Sequence, residues 1–206
     1  MKIGIFIWRD IKNPQSGGSE IYFHEMAKRW VKKGHKVIWF SPMFKGAKKE
    51  EVIDGIKFLR QGNTVTVYFQ SALKYLEKYK NKLDVIVDVE NGFPFFSPYF
   101  SKDKKLLHIH HVHKDVWKRE KSFPISSIGL FLETKLMPLA YKKVPVVTLA
   151  NSSIEEIKNE LSLKQKPFIV NPGVEFYKAK KFAKTKNPTI LFMNRIKKYK
   201  GIQVLL

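Results

Sequence analysis

Four histidines stand within six residues, in His108-Ile109-His110-His111-Val112-His113, and a glycine pair, Gly17-Gly18, stands just before a stretch of helical periodicity. Imidazoles in such density suggest either a metal site or contacts to a polar substrate. On a strand, His108 and His110 share one face and His111 takes the other. A zinc site needs three or four converging ligands. There is no His-Glu-x-x-His and no carboxylate at a helix-spaced position, so no metal is expected. A substrate contact at a strand end suits His110 first and His111 second, while His108 and His113 are more simply packed side chains. The glycines offer different chemistry. They let backbone approach a ligand closely, and the helix N-terminus that follows presents free N–H groups and partial positive charge to an anion. Neither a dinucleotide fingerprint nor a P-loop is present. The pair alone fits a ligand loop or a plain turn equally well.

A third group lies at 88–91. Asp88, Glu90 and Asn91 end an apolar run. Two carboxylates two residues apart on one strand face are too close to flank a sugar ring from opposite sides, which argues against glycoside hydrolysis. They fit better as pocket lining or as hydrogen-bond partners of loops. Trp117 and the aromatics Phe93, Phe95, Phe96 and Tyr99 can stack on sugar rings or face lipid, with core packing the fate of about half of them.

These residues need a scaffold that brings strand ends together, and the alternation of patterns supplies one. KIGIFIW (2–8) is continuous apolar, as in a strand buried on both faces. Helical spacing follows in Ile21, Phe23, Met26, Ala27, Trp30 and Val31, with Gly34 as the stop, and HKVIWF (35–40) is the next strand. IKFLR and TVTVYF read as short strands and FQSALKYLEKYKNK as a helix. LDVIVDV (83–89), KKLLHIH (104–110) and VPVVTLA (144–150) read as strands. SSIGLFLETKLMPLAYKK (126–143) is a helix bent or ended near Pro138. SSIEEIKNEL (152–161) is a helix capped by Ser152 or Ser153. The expected fold is α/β: a doubly wound, mostly parallel Rossmann-like sheet with helices on both faces. The expected organisation is one domain over 1–170, a Pro-, Gly- and Lys-rich hinge over 171–187, and a second domain opening at 188–206 with the strand TILFMNR (189–195), cut short before it can bury a core.

Composition limits the partners. The net charge is +21, carried by 34 lysines and only five arginines. Such a surface attracts phosphates, nucleic acid or an anionic membrane. Reading bases would favour arginine forks, and no helix-turn-helix, RNP-type strand or zinc finger is present, so no nucleic acid is expected. With no cysteine there is no disulfide, thiolate site or Cys nucleophile. No signal peptide or transmembrane run is recognisable, which points to the cytoplasm, with peripheral contact at the inner membrane face open to a Lys-rich surface.

Six segments in order carry a family resemblance: SGGSEIYFHEMAKRWVKKGHKVIWFSP, DVIVDVENGFPFFSP, HIHHVHKDVW, VVTLANSSIEEI, NPGVE and ILFMNRIKKYKGIQVLL. Together they resemble the retaining, GT-B-fold glycosyltransferases of family 4. The resemblance implies a site between two Rossmann-like domains, with the N-terminal one on the acceptor side. Gly17 and Gly18 then match the loop that faces the donor's diphosphate. His110 matches the histidine that contacts the transferred sugar, and Arg195 and Lys200 match the basic pair that neutralises the diphosphate leaving group. Glu90, Asn91, His111 and Trp117 are the expected substrate-binding residues. The implied partners are a nucleotide diphosphate sugar and a sugar or lipid-linked acceptor. No cofactor and no metal are expected. Two departures stand out. The family's paired glutamates of the second domain lie beyond the chain's last residue, so this segment alone is expected to be inactive, and the usual Asn-Gly-Val hinge reads Asn171-Pro172-Gly173-Val174. The rival readings are a stand-alone sugar- or lipid-binding domain and a basic nucleic-acid-binding module.

Overall fold

A computed structural model of the chain describes residues 1–174, 178, 186–193, 196 and 200–205. Among them, eight strands form one sheet in the order β3-β4-β2-β1-β5-β6-β7-β8. The strands are β1 (Lys2–Phe6), β2 (Lys36–Ser41), β3 (Glu50–Ile53), β4 (Ile56–Arg60), β5 (Val85–Glu90), β6 (Lys104–Ile109), β7 (Val146–Thr148) and β8 (Phe168–Ile169). All neighbours pair in parallel except β3, which pairs antiparallel with β4. The principal helices are α1 (Gly18–Lys32), α2 (Val67–Lys78), α3 (Lys114–Glu120), α4 (Ile125–Phe131), α5 (Met137–Ala140) and α6 (Asn151–Glu160), with a short α7 (Ile202–Leu205). The expected mostly parallel α/β sheet is what the chain forms.

The continuous apolar runs are explained by burial on both faces. Ile3, Ile5 and Ile7 point to one side, where Phe23 and Ala27 of α1 cover them together with Trp39, Phe58 and Val87. Phe6 points to the other side, against Phe40, Val67 and Tyr75, and its ring stacks on Phe40 at 4.3 Å. A third core lies under β6 and β7, where Leu107, Ile109 and Val146 meet Met137, Tyr141 and Ile157. Strand order reverses between β1 and β5, so the loops after these two strands diverge and leave a crevice at the sheet's C-terminal edge.

Several local expectations are corrected. TVTVYF (64–69) is not a strand. The Asn63 side chain accepts the N–H groups of Val65 and Thr66, turning the chain so that α2 starts at Val67. Glu50–Ile53, which carries too little apolar periodicity to stand out, forms the edge strand and pairs through to Ile53–Ile56. Neither Ser152 nor Ser153 caps α6; its N-cap is Ala150, and Ser153 Oγ instead donates to the carbonyl of His110. The helix expected over 126–143 runs as α4, a π-helical turn (Leu132–Leu136) and α5. Pro138 has no N–H for the carbonyl four residues back, and the wider turn precedes it. Residues 189–193 form no strand. They have no ladder partner, and Ile190, Leu191 and Met193 stand about four-fifths exposed or more (78%, 81% and 88%). Arg195 lies outside the described residues.

Candidate functional site at the C-terminal edge of the sheet

The glycine loop is held by a buried ion pair. Asp10 and Arg60 are both shielded from solvent, and Arg60 Nε donates to Asp10 Oδ2 at 2.7 Å. Ser41 Oγ donates to the same oxygen at 3.0 Å, and the backbone N–H of Lys12 donates to Oδ1. Arg60 also reaches Glu51 and the carbonyl of Lys48, which ties the loop to the β3–β4 edge. Nearer the glycines, Arg9 donates to the carbonyl and side chain of Gln15.

At the start of α1 the N-cap is Gly17, in extended backbone. Buried Glu20 reaches back, and its Oε2 accepts the Gly17 N–H at 2.6 Å. That N–H is therefore satisfied within the chain, leaving those of Gly18, Ser19 and Glu20 as the helix's outward donors. A methyl group placed on Gly18 would meet no atom within 4 Å. No neighbour within the fold demands glycine there, and the space beside it is open.

His110 follows the end of β6 and meets this helix. Its Nε2 lies 2.8 Å from Ser19 Oγ. The ring packs edge-on against Tyr22 and Phe23. Burial pushes its pKa down to about 4, with Glu90 opposing and the neighbouring His111 and His113 adding to the effect. The imidazole is therefore neutral at pH 7 and exchanges hydrogen bonds rather than charge. His108, beneath it, is pushed down to about 3 by burial and by His110. It is packed on the same two rings, and neither ring nitrogen has a hydrogen-bond partner among the described residues. His111 turns the other way, exposed, and its ring stacks on His113 at 4.2 Å. Desolvation, then the charge of His113, lower its pKa; Glu90 opposes, and the charge of Lys200 adds to the lowering. Lys200 thus lies within electrostatic reach of the crevice.

The loop after β5 supplies the opposite side. Asp88 is buried and spent on structure: it accepts from the N–H groups of Phe95 and Ser97 and from the Tyr141 hydroxyl. Burial raises its pKa, against those hydrogen bonds. Glu90 is also fully buried, and the Gly92 N–H donates to its Oε1. Gly92 adopts φ +103°, and a Cβ there would stand 2.7 Å from the Trp117 ring, so glycine is required by both turn and packing. Trp117 lies half-buried over this turn and stacks on Phe93 at 5.9 Å. Asn91 Nδ2 has no partner among the described residues.

Glu133 is a residue that sequence reasoning passed over. It sits in the π-helical turn, fully buried, and accepts the His113 N–H through Oε1. Burial, then the facing Glu90, push its pKa up to about 8. His113 Nδ1 lies 3.2 Å from Glu90 Oε1. Burial alone would lower the His113 pKa, but the two glutamates outweigh it and the net shift is upward. The signal was present in the sequence: Gly129, Glu133 and Met137 fall on one helical stripe, and an acid there lies on the buried side. Ser19 was missed for a different reason, since its partner is 91 residues away.

A groove of about 340 Å³ adjoins the site, between α1 (Gly18, Tyr22, Met26) and the segment from Val170 to Val174. Tyr22 donates to the Val170 carbonyl and Asn171 to that of Leu149, so the Asn-Pro-Gly-Val stretch lies along α1. Gly17, Asn91, His110 and His111 lie in loops that follow strands at this edge, while Gly18 opens α1, Glu90 ends β5 and Trp117 lies in α3. Glu90 differs from the others in facing inward. Residues 16–176 match the family model described as Glycosyltransferase Family 4. No curated protein matches the chain.

Proposed function

The chain belongs to glycosyltransferase family 4, and on that premise we propose that it is the acceptor-side domain of a two-domain enzyme that moves a sugar from a nucleotide diphosphate sugar with retention at the anomeric carbon. The observation that carries this reading is the Ser19–His110 contact. It joins the glycine loop and the histidine on one lip of the crevice, beside the open space over Gly18.

In this proposal the N–H groups at the start of α1 face the donor's phosphates, where partial positive charge is favourable. His110, neutral and oriented by Ser19, hydrogen-bonds a hydroxyl of the sugar being transferred. Arg195 and Lys200 neutralise the diphosphate as the glycosidic bond breaks, a charge that grows toward the transition state. His111, Asn91 and Trp117 line the acceptor side, with Glu90 acting from beneath through the turn it holds. Residues 171–187 form the hinge, and 188–206 open the donor-side domain. The exposed Ile190, Leu191 and Met193 support that assignment, because such an apolar run in water is costly unless further structure covers it. The test is nucleoside diphosphate release by the complete gene product from a panel of sugar nucleotides, compared between wild type and His110→Ala.

The acceptor side carries a second feature. Phe123, Ile125, Ile128 and Phe131 are exposed at and before α4, next to Lys118, Arg119 and Lys121. Apolar side chains beside a basic flank suit the interface of an anionic membrane. This supports a lipid-linked acceptor presented at such a surface. Among the described residues no helix is long and apolar enough to cross a membrane.

A further inference from the structure

Sugar transfer gives a role to Glu90 alone, and does not explain why Glu90, His113 and Glu133 converge. The three residues come from three elements: the end of β5, the residue before α3, and the π-helical turn. One ligand atom from each lies within 4.8 Å of the others. Both glutamates are fully buried. In each, Oε1 accepts a backbone N–H, from Gly92 and from His113 respectively. The second oxygens, Glu90 Oε2 and Glu133 Oε2, and His113 Nδ1 have no partner of full hydrogen-bond geometry among the described residues, although the Trp117 indole N–H faces the Glu133 carboxylate.

This arrangement goes beyond an acidic cluster. The backbone donors orient each carboxylate and leave its other oxygen uncommitted, which is how outer contacts prepare metal-binding carboxylates. Two buried carboxyl groups that face each other are stabilised by a proton between them or by a cation. One imidazole supplies at most a single positive charge, and only while protonated. Facing carboxylates without further compensation are costly to desolvate. The bend in the backbone adds to the case. The π-helical turn carries the buried Glu133, and such turns occur often at functional sites.

We propose that Glu90, His113 and Glu133 bind one divalent transition-metal ion, of the Zn²⁺ or Mn²⁺ class. One imidazole nitrogen with two carboxylate oxygens is a donor set these ions accept. Bonds of about 2.1 Å place tetrahedral ligands roughly 3.4 Å apart, so donors within 4.8 Å of one another must draw inward to close on an ion. The ion would lock the turn at 90–92 and the start of α3 to the π-helical turn. The loop of His110 and His111 runs directly into that anchor. Sequence spacing gives no hint of the site, because its ligands are 23 and 20 residues apart on separate elements (113 − 90 and 133 − 113).

The test uses the 206-residue chain after dialysis against EDTA. Mn²⁺ and Zn²⁺ are titrated calorimetrically, and Co²⁺ is added as a spectroscopic probe of the coordination sphere. Wild type should bind one ion, gain a higher melting temperature in its presence, and show Co²⁺ absorption bands of a nitrogen–oxygen site. Glu133→Gln should weaken binding by roughly 100-fold or more, the loss of a ligand exceeding the 10–100-fold typical of an outer contact. His113→Gln should do the same and remove the nitrogen contribution from the Co²⁺ spectrum. Circular dichroism in EDTA establishes that each variant is folded, and Glu90→Gln replaces any that is not. Absence of saturable binding at millimolar ion would overturn the proposal. Equal binding by wild type and both variants would also overturn it, by assigning the ion to other histidines. No sugar nucleotide enters the measurement, so its failure leaves the glycosyltransferase reading standing, and the reverse holds too.

Discussion

Lowering the pH from 7 to 5 should destabilise the fold through His108. The ring is 2% exposed, packed on Phe23 and Tyr22, and lacks a partner at either nitrogen. The titratable groups facing it are His110, on its own chain segment, and Tyr22 from α1. Its folded pKa is about 3, against about 6.5 in an unfolded chain. Between those values the unfolded state binds the proton and the folded state does not. The stabilising contribution is therefore complete above about pH 6.5 and is lost as pH falls toward the folded pKa. From 6.5 to 5 spans about 1.5 units, which at about 1.4 kcal/mol per unit is roughly 2 kcal/mol. The assay is urea unfolding at pH 7 and pH 5, in EDTA, for wild type and His108→Leu. The variant should lose roughly 2 kcal/mol less than wild type between the two pH values. At pH 7 it should equal or exceed wild type, because two unpaired buried nitrogens are replaced by methyl groups. Equal acid losses in the two proteins would refute the reasoning, since His108 would then be protonated in the folded state or accessible to water.

Other perturbations bear on the scaffold and surface. Arg60→Met leaves Asp10 buried without its cation and should cost about 3–5 kcal/mol in urea unfolding, while Asp10→Asn combined with Arg60→Met should recover part of it. Gly18→Ala should leave the melting temperature unchanged or slightly higher, since the added methyl meets nothing in the fold. It should nevertheless reduce sugar-nucleotide use, and unchanged turnover would show that no ligand approaches that position. Binding to anionic vesicles should fall steeply with salt and fall again in Phe123→Ser and Phe131→Ser; equal sedimentation with neutral vesicles would remove the membrane from the picture.

What could be read before folding, and what could not, follows from the range of each interaction. The runs around Ile3–Ile7, Val37–Phe40 and Val85–Val89 declared themselves because burial on both faces leaves few polar positions, Asp88 being the exception. TVTVYF misled because its alternation is overridden by one local turn, closed by the Asn63 side chain. The edge strand Glu50–Ile53 hid behind charges placed at a solvated sheet edge. The strand-end positions of Gly18, His110 and His111 followed from parallel topology. Their connections did not, because Ser19–His110, Asp10–Arg60 and Glu90–Glu133 join residues 91, 50 and 43 positions apart. Each looks like an ordinary surface polar residue until the sheet brings it to its partner.

The central proposal is that the lip formed by Ser19 and His110 holds the sugar of a nucleotide diphosphate donor. Turnover and diphosphate binding by His110→Ala, measured in the complete gene product, test it most directly. Removing a hydrogen bond made mainly in the transition state should lower kcat by roughly 10²–10³-fold. Affinity for the free nucleoside diphosphate, which carries no sugar, should stay near that of wild type by calorimetry. Undiminished kcat, or loss of diphosphate binding with turnover of the bound donor intact, would contradict it.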